Sequence, residues 1–146
     1  MPRSADSGFD AAVADRENHS VALVQVKAQA ATNGWAAMLL KQLSQFAERI
    51  DFVLTADLKS ISVYRWVEGA LTGPLVQLDT PRILQHYDPD FAKKRVFEPY
   101  LLTLVEAWLR DLAYHWKSEN PPGAEELRRA GLLEKLEGGT TQPLGA

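Results

Sequence analysis

The chain has 146 residues, 46% hydrophobic and 24% charged, with no cysteine and a net charge of −3. That size and balance allow one buried core without disulfides or a structural metal, and they exclude thiol catalysis, thiolate zinc sites and a globally basic nucleic-acid surface. The longest apolar run, Trp35 to Leu40, falls far short of the roughly 20 residues that span a membrane, and Met1 to Asp10 lacks a signal-peptide core, so a soluble, cytoplasmic protein with no membrane contact is expected.

Residues 1–8 are small and polar and are expected to be disordered. Phe9 to Ala14 predicts a short strand, and Asp15, Arg16, Glu17 and Asn18 a turn. Val21 to Gln29 predicts a central strand, with Val21, Leu23, Gln25, Lys27 and Gln29 on one face and Ala22, Val24, Val26 and Ala28 on the other. Thr32, Asn33 and Gly34 supply cap chemistry for a helix starting near Trp35, whose stripe is Trp35, Met38, Leu39, Leu43, Phe46 and Ile50. Phe52 to Thr55 and Ser60 to Trp66 predict two strands joined at Ala56 to Lys59.

Gly69 to Tyr87 has no sustained period and predicts a connection containing a short strand at Leu75 to Leu78. Phe97, Leu101, Leu104, Val105, Trp108, Leu109 and Leu112 recur at helical spacing, with Pro99 suited to the first turn and Pro121 and Pro122 ending the segment. Ala124 to Leu136 predicts one more short helix. The expected organisation is a single domain over residues 9–136, followed by a flexible tail over 137–146. The fold class is α/β (α+β), a small mixed sheet flanked by helices.

A lysine and a glutamine two apart on one face of the most apolar strand mark a candidate site. A buried ammonium is costly unless it is paired, so Lys27 must face solvent, a carboxylate or a polar cleft. Metal-dependent phosphodiester cleavage needs oxygen ligands around a hard cation and a nearby positive charge. Asp10 offers a carboxylate, Gln25 an amide oxygen, Val26 a backbone carbonyl and Lys27 the ammonium. The turn at Asp15 to Asn18 would bring Asp10 beside Gln25.

The segments Phe9-Asp10-Ala11-Ala12-Val13 and Val21-Ala22-Leu23-Val24-Gln25-Val26-Lys27-Ala28 resemble the PD…(D/E)xK motif of the restriction-endonuclease-like superfamily, in the Q-x-K form also found among Mrr-type members. The following Trp-Ala-Ala…Leu segment, Asp51 to Thr55, Ile61 to Trp66 and the Glu106-Ala107-Trp108-Leu109 stretch are similar to a compact bacterial group of that superfamily. The resemblance covers roughly residues 9–116. It implies a restriction-endonuclease-like core, catalytic residues Asp10, Gln25 and Lys27, and a Mg²⁺ or Mn²⁺ ion on Asp10, Gln25 and Val26. The implied activity is hydrolysis of DNA; the alternative is a degenerate module that binds a protein partner, a second copy or nucleic acid without cutting.

Three positions depart from the pattern. Phe9 replaces the motif proline, the elements expected before the aspartate are missing so that the core looks truncated at its N-terminus, and Gln25 replaces an acid, which removes one negative charge from the cation's ligands. DNA contact would need a local basic cleft, with Lys93, Lys94, Arg95, Arg128 and Arg129 the nearest to clusters and Lys27, Lys41, Lys59 and Arg65 scattered. Taken singly, each of these reads as a solvated charge. His19, His86 and His115 lack metal-ligand spacing, Asp88 and Asp90 suggest a turn, and Glu98 and Glu106 a solvated helix face. Gln42 and Phe46 read as surface and core, and Tyr64, Trp66, Trp108 and Trp116 as packing residues.

Overall fold

The computed structural model describes residues 9–28, 50–67 and 69–144. The strands are β1 (Ala11–Ala14), β2 (Ser20–Val26), β3 (Phe52–Ala56), β4 (Ser60–Val67), β5 (Ala70–Asp79) and β6 (Thr140–Pro143). Between β5 and β6 lie helix α1 (Thr80–Leu84), a 3-10 turn at Phe91–Lys93, α2 (Glu98–Tyr114), α3 (Ala124–Ala130) and α4 (Leu133–Leu136). The sheet has the order β5-β4-β3-β2-β1-β6. Among the described strands, only the β2–β3 pair is parallel. This is a compact α/β domain with a mixed sheet flanked by helices, consistent in general terms with restriction-endonuclease-like and RNase-H-like arrangements. The helix expected from Trp35 lies outside the described residues.

Alternation along the strands divides the core. Ala22, Val24 and Val26 join Phe52, Leu54, Ile61, Val63 and the buried residues of the helices in one large cluster. Leu23 joins Phe9, Ile50 and Val53 in a smaller one on the other face. Val21 breaks the expected alternation and falls in the large cluster. The cause is a bulge: Val13 pairs with Ala22 but Ala14 with Ser20, which leaves Val21 as the extra residue and rotates it across the sheet.

In α2, Leu101, Leu104, Val105, Trp108, Leu109 and Leu112 form the buried stripe, with proline in the first turn. Trp108 is fully buried and its indole N–H donates to the Pro122 carbonyl at 2.7 Å. Phe97, expected in the stripe, precedes the helix as its N-cap and is 63% exposed. The predicted final helix is broken at Gly131 into α3 and α4, because Gly131 takes a left-handed conformation at φ 84°.

Two further expectations from the sequence change. The connection after Gly69, expected to hold a short strand at Leu75 to Leu78, is a ten-residue strand, β5, on the sheet edge. Three of its residues, Gly73, Pro74 and Leu75, stand opposite Tyr64 alone, since Val63 pairs with Val76 and Arg65 with Thr72. A side chain at Gly73, where φ is 121°, would meet the Leu75 nitrogen at 2.6 Å, so this bulge requires glycine. The segment after Glu137, expected as a flexible tail, supplies β6, which pairs with β1. Gly139 permits this, because a Cβ there would overlap the Ala14 carbonyl.

Candidate functional site

β1 and β2 form an antiparallel hairpin whose last register pair at the open end is Ala11 with Val24. Asp10 follows directly beyond that pair. Its amide donates to the Val24 carbonyl at 2.8 Å, its carbonyl accepts from the Leu144 amide at 3.0 Å, and its Oδ2 accepts from the Val26 amide at 2.7 Å. The carboxylate of Asp10 is thereby held against the backbone at the end of β2, beside the residue whose carbonyl was expected to complete the cation's ligands.

The strand expected to reach Gln29 ends at Val26, so Lys27 emerges from the sheet. Its amide still bonds the Ala56 carbonyl at 2.9 Å, while its side chain is exposed and forms no ion pair among the described residues. Gln25 is 5% exposed. It heads a row of polar residues across the sheet: Gln25 pairs with Thr55, Thr55 with Ser62 and Ser62 with Gln77. The Gln77 amide donates to the Ser62 hydroxyl at 3.3 Å. By alternation this row shares the face of Leu23 and Val53, away from α2.

From the opposite face α2 brings a carboxylate to the chain leaving this end of the hairpin. Glu98 Oε1 accepts from the Ala28 amide at 3.0 Å and so fastens the chain leaving β2. Glu106 is half-buried. Burial pushes its carboxyl above the usual range, Arg110 one turn along partly offsets this, and the charge of Asp10 adds to the rise. Neither residue is the solvated helix surface expected from the sequence. The signal that would have found them is absent from local spacing, because both partners, Ala28 and Asp10, lie far away along the chain.

The Asp10 and Glu106 carboxylates, the Gln25 amide oxygen and the Val26 carbonyl are oxygen donors of the kind that a hard divalent ion takes. Gln25 shares the face away from α2, whereas Glu106 belongs to α2 on the opposite face, and Asp10 lies at the strand end.

A second group sits at the other end of the hairpin. Ligand atoms of Asp15, Glu17 and His19 lie within 4.8 Å of one another, so this surface cluster could in principle coordinate a divalent metal. The sequence shows only a turn there, and the alternating Asp-x-Glu-x-His spacing is its visible trace. The turn has its own use for the carboxylate: Asp15 Oδ1 accepts from the Glu17 and His19 amides, each at 2.9 Å. The His19 amide is the main cause holding the Asp15 carboxyl below its usual range. A hollow of about 460 Å³ beside it is lined by Asn18, His19, Asp51 and Lys135 among others.

The basic residues noted in the sequence are mostly engaged. Lys94 Nζ lies 2.8 Å from Asp88, Arg95 stacks on Phe97 at 5.3 Å, and Arg128 and Arg129 share Glu125. Asp88 does shape its turn, accepting from the Asp90 amide at 3.0 Å. Among the described residues, no helix is long and apolar enough to cross a membrane. Set against known proteins, the chain matches no family model, no curated protein and no solved structure.

Proposed function

We propose that the protein is a nuclease-fold module that hydrolyses phosphodiester bonds of DNA with a Mg²⁺ or Mn²⁺ ion held at the end of β2. The observation that carries this reading is the Asp10 carboxylate fixed against the Val26 amide at 2.7 Å, at the strand end from which the exposed Lys27 emerges. Asp10, Gln25 and the Val26 carbonyl would hold the ion, and Glu106 would add the charge that Gln25 lacks. When bound, such an ion polarises the phosphate and lowers the pKa of a water molecule. The exposed Lys27 ammonium would neutralise charge gathering on the phosphate oxygens.

Purified protein incubated with DNA should cleave only with Mg²⁺ or Mn²⁺ present. Asp10→Ala and Lys27→Ala should each lower the rate by about a hundredfold or more. Full activity in both variants would overturn the proposal. Gln25→Glu should tighten Mg²⁺ binding measured by calorimetry.

A second reading, a module that binds a protein partner or nucleic acid without cutting, is favoured by the deep burial of Gln25 and its place in a polar cross-strand row. It predicts no cleavage with any divalent ion, and Gln25→Glu that destabilises the fold without gaining Mg²⁺ affinity.

A further inference from the structure

At the opposite edge of the sheet, away from Asp10 and Lys27, β4, β5 and α3 enclose a cleft of about 380 Å³. Its apolar wall is Leu75, Val76 and Ala130, and its charged groups are Arg65, Arg129 and Glu126. The bulge at Gly73 to Leu75 shapes this wall, since it leaves Leu75 43% exposed on an edge strand.

The charges in and around the cleft are unevenly matched. Glu126, its only carboxylate among the described residues, is turned to Arg82 at 3.3 Å. Glu125 serves two arginines, at 2.7 Å from Arg128 Nη1 and only 3.7 Å from Arg129 Nε. Arg65 has no carboxylate partner among the described residues. Its guanidinium instead lies 5.5 Å above the ring of Phe52, a buried member of the large core cluster. An arginine held over an aromatic ring keeps its donors pre-oriented and less hydrated than a free surface arginine, which favours a carboxylate or phosphate oxygen pair.

A concave site of this size, apolar on one wall with a few convergent polar groups, is what small organic ligands require. We propose that the cleft binds a small organic anion, with the acid group between Arg65 and Arg129 and a compact apolar body against Leu75, Val76 and Ala130. Among the described residues that line the cleft, two guanidiniums against one carboxylate give it the charge for an anion, and the apolar wall distinguishes such a ligand from a bare inorganic ion. The proposal does not depend on the nuclease reading.

The test is calorimetric titration of the full chain at low salt with phenyl phosphate, benzoate, inorganic phosphate and acetate. Phenyl phosphate or benzoate should bind saturably, at least about tenfold more tightly than phosphate or acetate, and preference between the two aryl acids identifies the acid group. Arg65→Ala and Arg129→Ala should each weaken binding by about tenfold or more, with Arg65→Lys restoring only part because it lacks the fork. Asp10→Ala should leave it unchanged. The two arginines are exposed and belong to different elements, so matching melting temperatures separate lost binding from lost folding. Absence of saturable binding, equal binding of inorganic phosphate and phenyl phosphate, or binding that survives either alanine substitution would overturn the proposal.

Discussion

Two carboxylates on α2 have opposite fates. Asp111, near the end of the helix, is fully buried, yet its charge is favoured: burial pushes its carboxyl up, but the Tyr87 hydroxyl at 2.7 Å and the Lys117 and Ser118 amides at 2.9 and 3.0 Å hold it below the usual range. Glu106, half-buried in the middle of the helix, accepts no hydrogen bond among the described residues and is pushed up by burial, with Asp10 adding to the rise. The donors supplied, more than the depth, decide the state of a carboxyl group. Asp111 is a finished structural joint. Among the described residues Glu106 lacks such donors, so its environment disfavours the charge relative to a solvated carboxylate.

The comparison can be broken most forcefully at Asp111. Asp111→Ala should destabilise the protein by about 3 kcal/mol in urea denaturation, because the part-buried Tyr87 hydroxyl and the Lys117 and Ser118 amides lose their buried acceptor. A loss below about 1 kcal/mol would mean that water replaces the carboxylate easily.

Tyr87→Phe removes one donor and should cost about 1–2 kcal/mol at neutral pH. The sign with pH follows from the depressed Asp111 carboxyl. Its stabilisation is present above the unfolded value of about 3.9 and is lost as pH falls through the lower folded value. Removing the Tyr87 donor raises the folded value, so the variant should have less of this stabilisation to lose in acid.

Thr141 sharpens the same point, since its buried Oγ1 has no hydrogen-bond partner among the described residues. Thr141→Val, similar in shape, should stabilise the protein by about 1 kcal/mol, measured as a higher melting temperature.

The smallest effect is expected at Glu106. A raised carboxyl makes the folded state gain stability as pH falls from neutral through its folded value toward the unfolded one. Glu106→Gln should flatten that dependence and raise stability at pH 7 by less than about 1 kcal/mol, given solvent screening. Millimolar Mg²⁺ should raise the melting temperature of the wild type more than that of the variant. Equal shifts would exclude Glu106 from holding the ion.

The first four strands were legible in the sequence because Ala22/Leu23/Val24 and Phe52/Val53/Leu54 lie inside the sheet, where both faces are packed and the apolar runs show it. β5 was legible only at Leu75 to Leu78, since most of its residues are exposed and Gly73 and Pro74 interrupt the pattern that a central strand would show. β6 was hidden in the same way: its threonines, glutamine and proline are tolerable on an edge that pairs on one side only.

At the candidate site, the hairpin was expected to bring Asp10 beside Gln25; the Asp10 carboxylate bonds the Val26 amide, Lys27 leaves the sheet, and Gln25 is buried in a polar row set by three other strands. Such partnerships, like that of Glu106 with Asp10, arise only from long-range packing and leave no local spacing to read. The Arg65 cleft likewise depends on a bulge that displaces Leu75.

The pairing of Thr140–Pro143 with Ala11–Ala14 has a consequence for the time course of folding. Closing so long a loop carries an entropic penalty that local hairpins avoid, so this edge should be among the last parts of the sheet to become fixed and among the first to open. The Leu144 amide bonds the carbonyl of Asp10 itself. Hydrogen exchange at β6 should therefore report on the backbone that carries Asp10, and the rim of the hairpin reaches its final shape only when the two distant segments meet.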